Sequence, residues 1–230
     1  MGADENLSPT RRASPLAAAG PSPFERGMLI FMITVVDYKL NNLRSIENTL
    51  RRLGHDVEVT SHPDKVRAAT KLILPGVGAF RDAMTNLREL GLIEPFVEKV
   101  RSGTPTLGIC LGMHLLFEES EEFGLHRGLE LLPGRVRRIP EGVHVPHMGW
   151  NQLKLRQPDR LLTGIEPGSF VYFVHSYYVD PTSEDITLAS VDHGIPFAAI
   201  VHRDNIWATQ FHPEKSQKVG EQLLENFARI

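Results

Sequence analysis

The run Thr106-Leu107-Gly108-Ile109-Cys110-Leu111-Gly112-Met113-His114-Leu115-Leu116-Phe117 places a thiol where an apolar stretch meets a helical pattern. Cys110 is the one cysteine among 230 residues, with a glycine two positions before it and two after. A G-x-C-x-G turn at a strand–helix junction reads as a nucleophile elbow, a bend that lifts a reactive side chain above a sheet. The glycines allow close backbone approach, and the start of the following helix favours a thiolate. The plainer alternative is a structural cysteine, since a free thiol packs as a small hydrophobe. The glycine pair and the junction favour the nucleophile.

A thiol nucleophile needs a base, and the base needs a group to orient it. Of ten histidines, His212 has the most suggestive context, Ala208-Thr209-Gln210-Phe211-His212-Pro213-Glu214-Lys215-Ser216. It follows an apolar run that ends in a proline turn, and Glu214 comes two residues later. In extended backbone, residues i and i+2 face the same side, so the Glu214 carboxylate can fix the imidazole tautomer. A loose surface His/Glu pair is the alternative. A third element is Pro75-Gly76-Val77-Gly78-Ala79-Phe80, again after an apolar run. Its glycines free the backbone to aim N–H groups at a developing oxyanion, with the Leu111 N–H as second donor. No lysine follows as in a phosphate-binding loop, and a plain tight turn is the other reading.

These three segments converge if the elements before them are parallel strands, whose C-terminal ends gather on one edge of a sheet. Residues 33–37, 57–60, 71–74 and 106–109 read as buried strands. Residues 42–53, 80–90, 93–101 and 111–120 carry helical spacing, with Gly54, Gly91 and Gly103 as stops. That alternation predicts an α/β fold with an open, mostly parallel central sheet and helices on both faces. The second half reads as extra, antiparallel strands over 134–139, 152–155, 169–179, 187–191, 198–201 and 206–210. An amphipathic helix over 219–230 closes the chain, with Leu223, Leu224, Phe227 and Ile230 on one side.

Composition narrows the function classes. Hydrophobic content of 41% supports a real core, and a net charge of -3 carries no nucleic-acid footprint. No run is long and apolar enough to span a membrane. One cysteine excludes an intrachain disulfide framework and suits the cytoplasm. His144 and His147 stand at i, i+3, but Pro146 breaks a helix there and no second cysteine is at hand, so neither a metal nor another cofactor is expected. Residues 1–30 are rich in Ala, Ser, Pro and Gly and read as a disordered extension, ahead of one domain over 31–230. The Arg11-Arg12 pair is a faint export signal, cut short by Pro21 and Pro23, and the true start is expected at Met28 or Met32.

Gly108-Ile109-Cys110-Leu111-Gly112 together with Phe211-His212-Pro213-Glu214 resembles the class I (triad) glutamine amidotransferases. Within them, the chain is similar to the glutaminase subunits of imidazole glycerol phosphate synthases. Four segments carry that likeness: Val36-Asp37-Tyr38 with Asn42-Leu43-Arg44-Ser45-Ile46, Leu74 to Phe80, His147-Met148-Gly149-Trp150-Asn151, and Tyr172-Phe173-Val174-His175-Ser176-Tyr177-Tyr178. Other triad amidotransferases are not expected to share the last two. The resemblance implies a flavodoxin-like amidotransferase fold and a Cys110–His212–Glu214 triad that hydrolyses glutamine through a glutamyl thioester. It implies an oxyanion hole from the N–H groups of Val77 and Leu111, and a glutamine site lined by Gly76, Gly78, His114, Ser176 and Tyr177. It implies a heterodimer with a cyclase subunit that uses the ammonia for histidine biosynthesis, docked over Asn42, Trp150, Tyr172 and Lys215. Lys39 and Asn41 replace two usual glycines of the first loop, and His114 replaces a usual glutamine.

Overall fold

The computed structural model describes residues 32–39 and 43–230. The sequence reading of residues 1–30, and those of Asn41 and Asn42, lie outside the described residues. The first half runs β1 (Ile33–Val36), α1 (Leu43–Arg52), β2 (Val57–Thr60), α2 (Pro63–Ala68), β3 (Lys71–Leu74), α3 (Phe80–Glu89), α4 (Ile93–Arg101), β4 (Thr106–Ile109) and α5 (Leu111–Leu116). The second half runs β5 (Phe117–Ser120), β6 (His126–Arg127), β7 (Leu132–Arg138), β8 (His147–Gln152), β9 (Lys154–Leu155), β10 (Phe170–His175), β11 (Tyr177–Pro181), β12 (Thr187–Asp192), β13 (Pro196–Arg203), β14 (Ile206–Thr209) and α6 (Gln217–Arg229).

The central sheet has the order β2-β1-β3-β4-β14-β13-β12-β9. Pairing is parallel from β2 to β14 and antiparallel from β14 onward. The short central strands are buried along their whole length, because each face meets its own core. Ile33, Val35, Ile73, Leu107, Ile109 and Trp207 point into one core, which α1 and α6 cover with Ile46, Leu50, Leu223, Leu224 and Phe227. Val36, Leu72, Leu74, Ile206 and Ala208 point into the other, covered by Phe80, Met84, Leu87, Phe96 and Leu116. The period of two along the strands and near four along the helices is what closes both layers.

Three expectations are corrected. The helix after Cys110 stops at Leu116, not at residue 120. Phe117 turns extended (φ -77, ψ 173), and Phe117–Ser120 becomes a strand of a second sheet, β11-β7-β5-β6. The strand expected over 169–179 is two strands in different sheets: β10 pairs with β8, and β11 pairs with β7, with the switch at Ser176. Residues 147–151 had no element in the sequence reading, yet they form most of β8, because an antiparallel partner supplies the pairing that local pattern does not show.

Candidate active site

Three neighbouring parallel strands deliver the three candidate segments to one edge. β3 pairs with β4, which pairs with β14, and the register Leu74↔Gly108 and Ile109↔Thr209 brings their ends level. Beyond β3 comes Pro75-Gly76-Val77-Gly78, beyond β4 comes Cys110, and beyond β14 comes Gln210-Phe211-His212. Val77, Gly78, Cys110, Leu111, His114, Ser176, Tyr177 and His212 line one cleft of about 730 Å³.

The elbow is strained. Cys110 has φ 54 and ψ -110, a conformation that a side-chain-bearing residue rarely adopts and that costs on the order of 1–3 kcal/mol. Its backbone N–H donates to the Thr209 carbonyl at 2.7 Å, and its own carbonyl accepts from His114 N at 3.2 Å. Glycines make the bend possible by contact. A Cβ on Gly112 would lie 1.8 Å from the Leu74 carbonyl oxygen, and one on Gly76 would lie 2.7 Å from Leu111 Cβ. The elbow is therefore wedged directly against the β3 exit, with Gly76 packed on Leu111 and both Val77 and Leu111 lining the cleft.

His212 and Glu214 meet, Nδ1 to Oε1, at 2.9 Å, with both side chains almost wholly buried. The pairing was expected from extended backbone, but the route differs. Pro213–Lys215 is a single 3-10 turn that carries Glu214 back to the imidazole. Burial on its own lowers the proton affinity of His212, but the nearby Cys110 sulfur and the hydrogen-bonded Glu214 carboxylate outweigh that and raise its pKa to about 10. Nε2 makes no fully aligned hydrogen bond in this resting geometry, so the Cys110 interaction acts through proximity rather than through a closed bond. The turn itself is clamped. Ser216 Oγ donates to the His212 carbonyl oxygen at 2.7 Å and accepts from Tyr172 N at 3.0 Å, and His212 N donates to the Tyr172 carbonyl at 3.1 Å.

His114, on α5, is buried with Nε2 2.8 Å from Gln210 Oε1. Burial lowers its pKa to about 4, so near neutral pH it is an uncharged ring in the cleft wall. His175 is both a satisfied core histidine and a pocket residue. Its Nδ1 lies 2.8 Å from the Tyr177 carbonyl and its Nε2 2.9 Å from His147 Nδ1, and it lines the cleft. His147 Nε2 is 3.2 Å from Asn151 Nδ2. Both ring nitrogens of His147 are thus engaged, and His144 meets that neighbourhood through its backbone oxygen, which accepts from His193 Nε2 at 2.7 Å.

Sequence reasoning missed Glu121, Glu122, Phe123, Arg138, Val145 and Pro146, which also line the cleft. Glu122 accepts from Phe80 N at 2.7 Å, tying the β5–β6 turn to the start of α3. Burial raises its pKa. The acidic run Glu118 to Glu122 was the available signal, hidden by the assumption that a helix ran through it. Of the residues expected at a partner face, Trp150 and Tyr172 meet edge to face with centroids 5.9 Å apart. Lys215 is exposed at the end of the His212 turn.

The fold and this cleft define a class: the profile of the glutamine amidotransferase class-I family matches residues 34–230, and the chain belongs to that family. A solved structure described as a glutamine amidotransferase superposes with a TM-score of 0.69 at 20% identity, over 86% of this chain and 99% of that one, a likeness of fold. Relatives narrow the class to one subunit type. The chain is 51% identical over 203 residues to the imidazole glycerol phosphate synthase subunit HisH of Syntrophotalea carbinolica, spanning 85% of this chain and 98% of that protein. It is 52% identical over 198 residues to the subunit of the same name from Desulfitobacterium hafniense, spanning 86% and 94%.

Proposed function

We propose that this chain is the glutaminase subunit of an imidazole glycerol phosphate synthase. The observation that carries the reading is Cys110 at a strained elbow facing a buried His212 that Glu214 holds. A proton kept on His212 is one not kept on sulfur, and an imidazolium stabilises the thiolate facing it. The thiolate attacks the side-chain amide carbon of glutamine, and the carbonyl electron pair moves to oxygen. The N–H groups of Val77 and Leu111 receive that oxyanion. His212 gives its proton to the departing amine, ammonia leaves, and a glutamyl thioester remains on Cys110. His212 then takes a proton from water, which cleaves the thioester to glutamate.

The cleft's charged lining suits an amino-acid head group. Glu121 and Glu122 suit the α-ammonium, and Arg138, paired in register with Tyr177, suits the α-carboxylate. Gly76, Gly78, His114, Ser176 and Tyr177 complete the glutamine site.

The β8–β10 ribbon supports a partner. Met148, Trp150 and Phe170 are 62%, 45% and 52% exposed, an apolar face that a soluble monomer rarely leaves open. We assign it, with Tyr172, Lys215 and Asn42, to docking of the cyclase subunit that receives the ammonia. Among the described residues no helix is long and apolar enough to cross a membrane, and we place the heterodimer in the cytoplasm. Glutaminase activity is low in the isolated chain and rises sharply when the cyclase and its nucleotide bind. Co-purification with the cyclase, followed by glutaminase assays of each state, tests this. Full activity of the isolated chain would contradict the coupling, and no activity in either state would contradict the assignment.

A further inference from the structure

Tyr38 is a buried phenol that the triad does not use. It leaves the end of β1 in a tight turn, where Asp37 Oδ1 accepts from Lys39 N at 2.9 Å and Lys39 takes a left-handed φ of 66. β1 pairs with β3, so a side chain just past β1 lies beside the β3 exit. There the Tyr38 hydroxyl donates to the Pro75 carbonyl oxygen at 2.5 Å. The approach is close enough that a Cβ on Gly76 would lie 2.8 Å from the Tyr38 oxygen. Glu122 holds the other end of the same loop through Phe80 N at 2.7 Å. Residues 76–79, bracketed by these two bonds, belong to neither strand nor helix.

We propose that Tyr38 is the positioning residue of the oxyanion loop: its O–H fixes the Pro75 carbonyl, and through it the orientation of the Val77 N–H toward the oxygen of the carbonyl that Cys110 attacks. This rests on the function proposed above and adds to it a residue that touches no substrate. The phenol suits the task because it stays a donor. Burial, and then the nearby Cys110 sulfur, raise its pKa well above the ordinary value of 10.0, so the hydroxyl keeps its proton and stays a donor. A loop of two glycines and a proline has little of its own to hold one peptide orientation. A fixed donor beneath it converts a floppy segment into a preorganised one, and preorganisation is what an oxyanion donor contributes.

The test is Tyr38→Phe in the complex with the cyclase. Phenylalanine fills the same space and removes only the hydroxyl. Expected is a fall in glutaminase kcat of about 10-fold, part of the 10²–10³ that loss of a whole oxyanion donor costs. KM stays within about 2-fold, because ground-state binding is untouched. Alkylation of Cys110 by iodoacetamide, which needs the thiolate but no oxyanion hole, also stays within about 2-fold. An unchanged kcat would overturn the proposal. So would a parallel fall in alkylation, or loss of the fold by circular dichroism, since either would make the hydroxyl a core group. A wild-type complex that does not hydrolyse glutamine would instead sink the underlying function.

Discussion

His147 and His175 lie 2.9 Å apart, Nδ1 to Nε2, and one proton arrangement satisfies both rings. His175 Nδ1–H donates to the Tyr177 carbonyl, so its Nε2 must accept, and His147 Nδ1–H must donate. His147 Nε2 then accepts from Asn151 Nδ2. A directed chain of neutral groups therefore runs from β8, beside exposed Trp150, to the Ser176 switch that forms the cleft wall. His147→Phe keeps the stack on Phe173 and His193 but removes the donor. It is expected to cost about 1–3 kcal/mol in urea unfolding and to raise the glutamine KM several-fold. Unchanged stability and KM would show that the chain positions nothing.

The histidines give stability opposite pH slopes. Burial lowers His114 and His147 to about 4, and lowers His175 well below 6.5. Unfolded imidazoles take protons near 6.5, so the contribution is complete above that pH and lost as pH falls toward 4. A fully buried ring such as His114 costs about 1.4 kcal/mol per pH unit in that window. His212, raised to about 10, behaves the other way: its contribution is complete below 6.5 and lost as pH rises through about 10. Urea midpoints at pH 7 and 5 should fall further apart in the wild type than in His114→Gln. Equal differences would refute the first half.

Gly112 has no room for a side chain, with the Leu74 carbonyl 1.8 Å from its missing Cβ. Gly112→Ala must push α5 off the β3 exit, and a loss of about 3 kcal/mol or more is expected, with glutaminase activity abolished. A variant that melts within a few degrees of the wild type would contradict the packing.

Ser216 bridges the His212 carbonyl and the Tyr172 N–H. Ser216→Ala should cost about 1–2 kcal/mol and lower kcat roughly 10-fold by loosening the His212 turn. A change in KM alone would put Ser216 elsewhere in the account.

The meeting of Cys110 with the His212–Glu214 pair in one cleft was legible because local chemistry marks the segments: glycines around Cys110, and a proline turn that sets Glu214 two residues from His212. The parallel core was legible because buried strands and amphipathic helices alternate. The Glu122 and Arg138 lining was not, since it depends on a second sheet whose strands pair across long separations, β5 with β7 and β11 with β7. The break at Ser176 was hidden for the same reason: an apolar run reads as one strand until its two halves find different partners.

Cys110→Ala in the complex with the cyclase is the most direct measurement. Glutamine-dependent synthesis of imidazole glycerol phosphate should vanish while synthesis from added ammonium continues at the wild-type rate. Glutamine-dependent turnover that survives loss of the thiol would contradict the account.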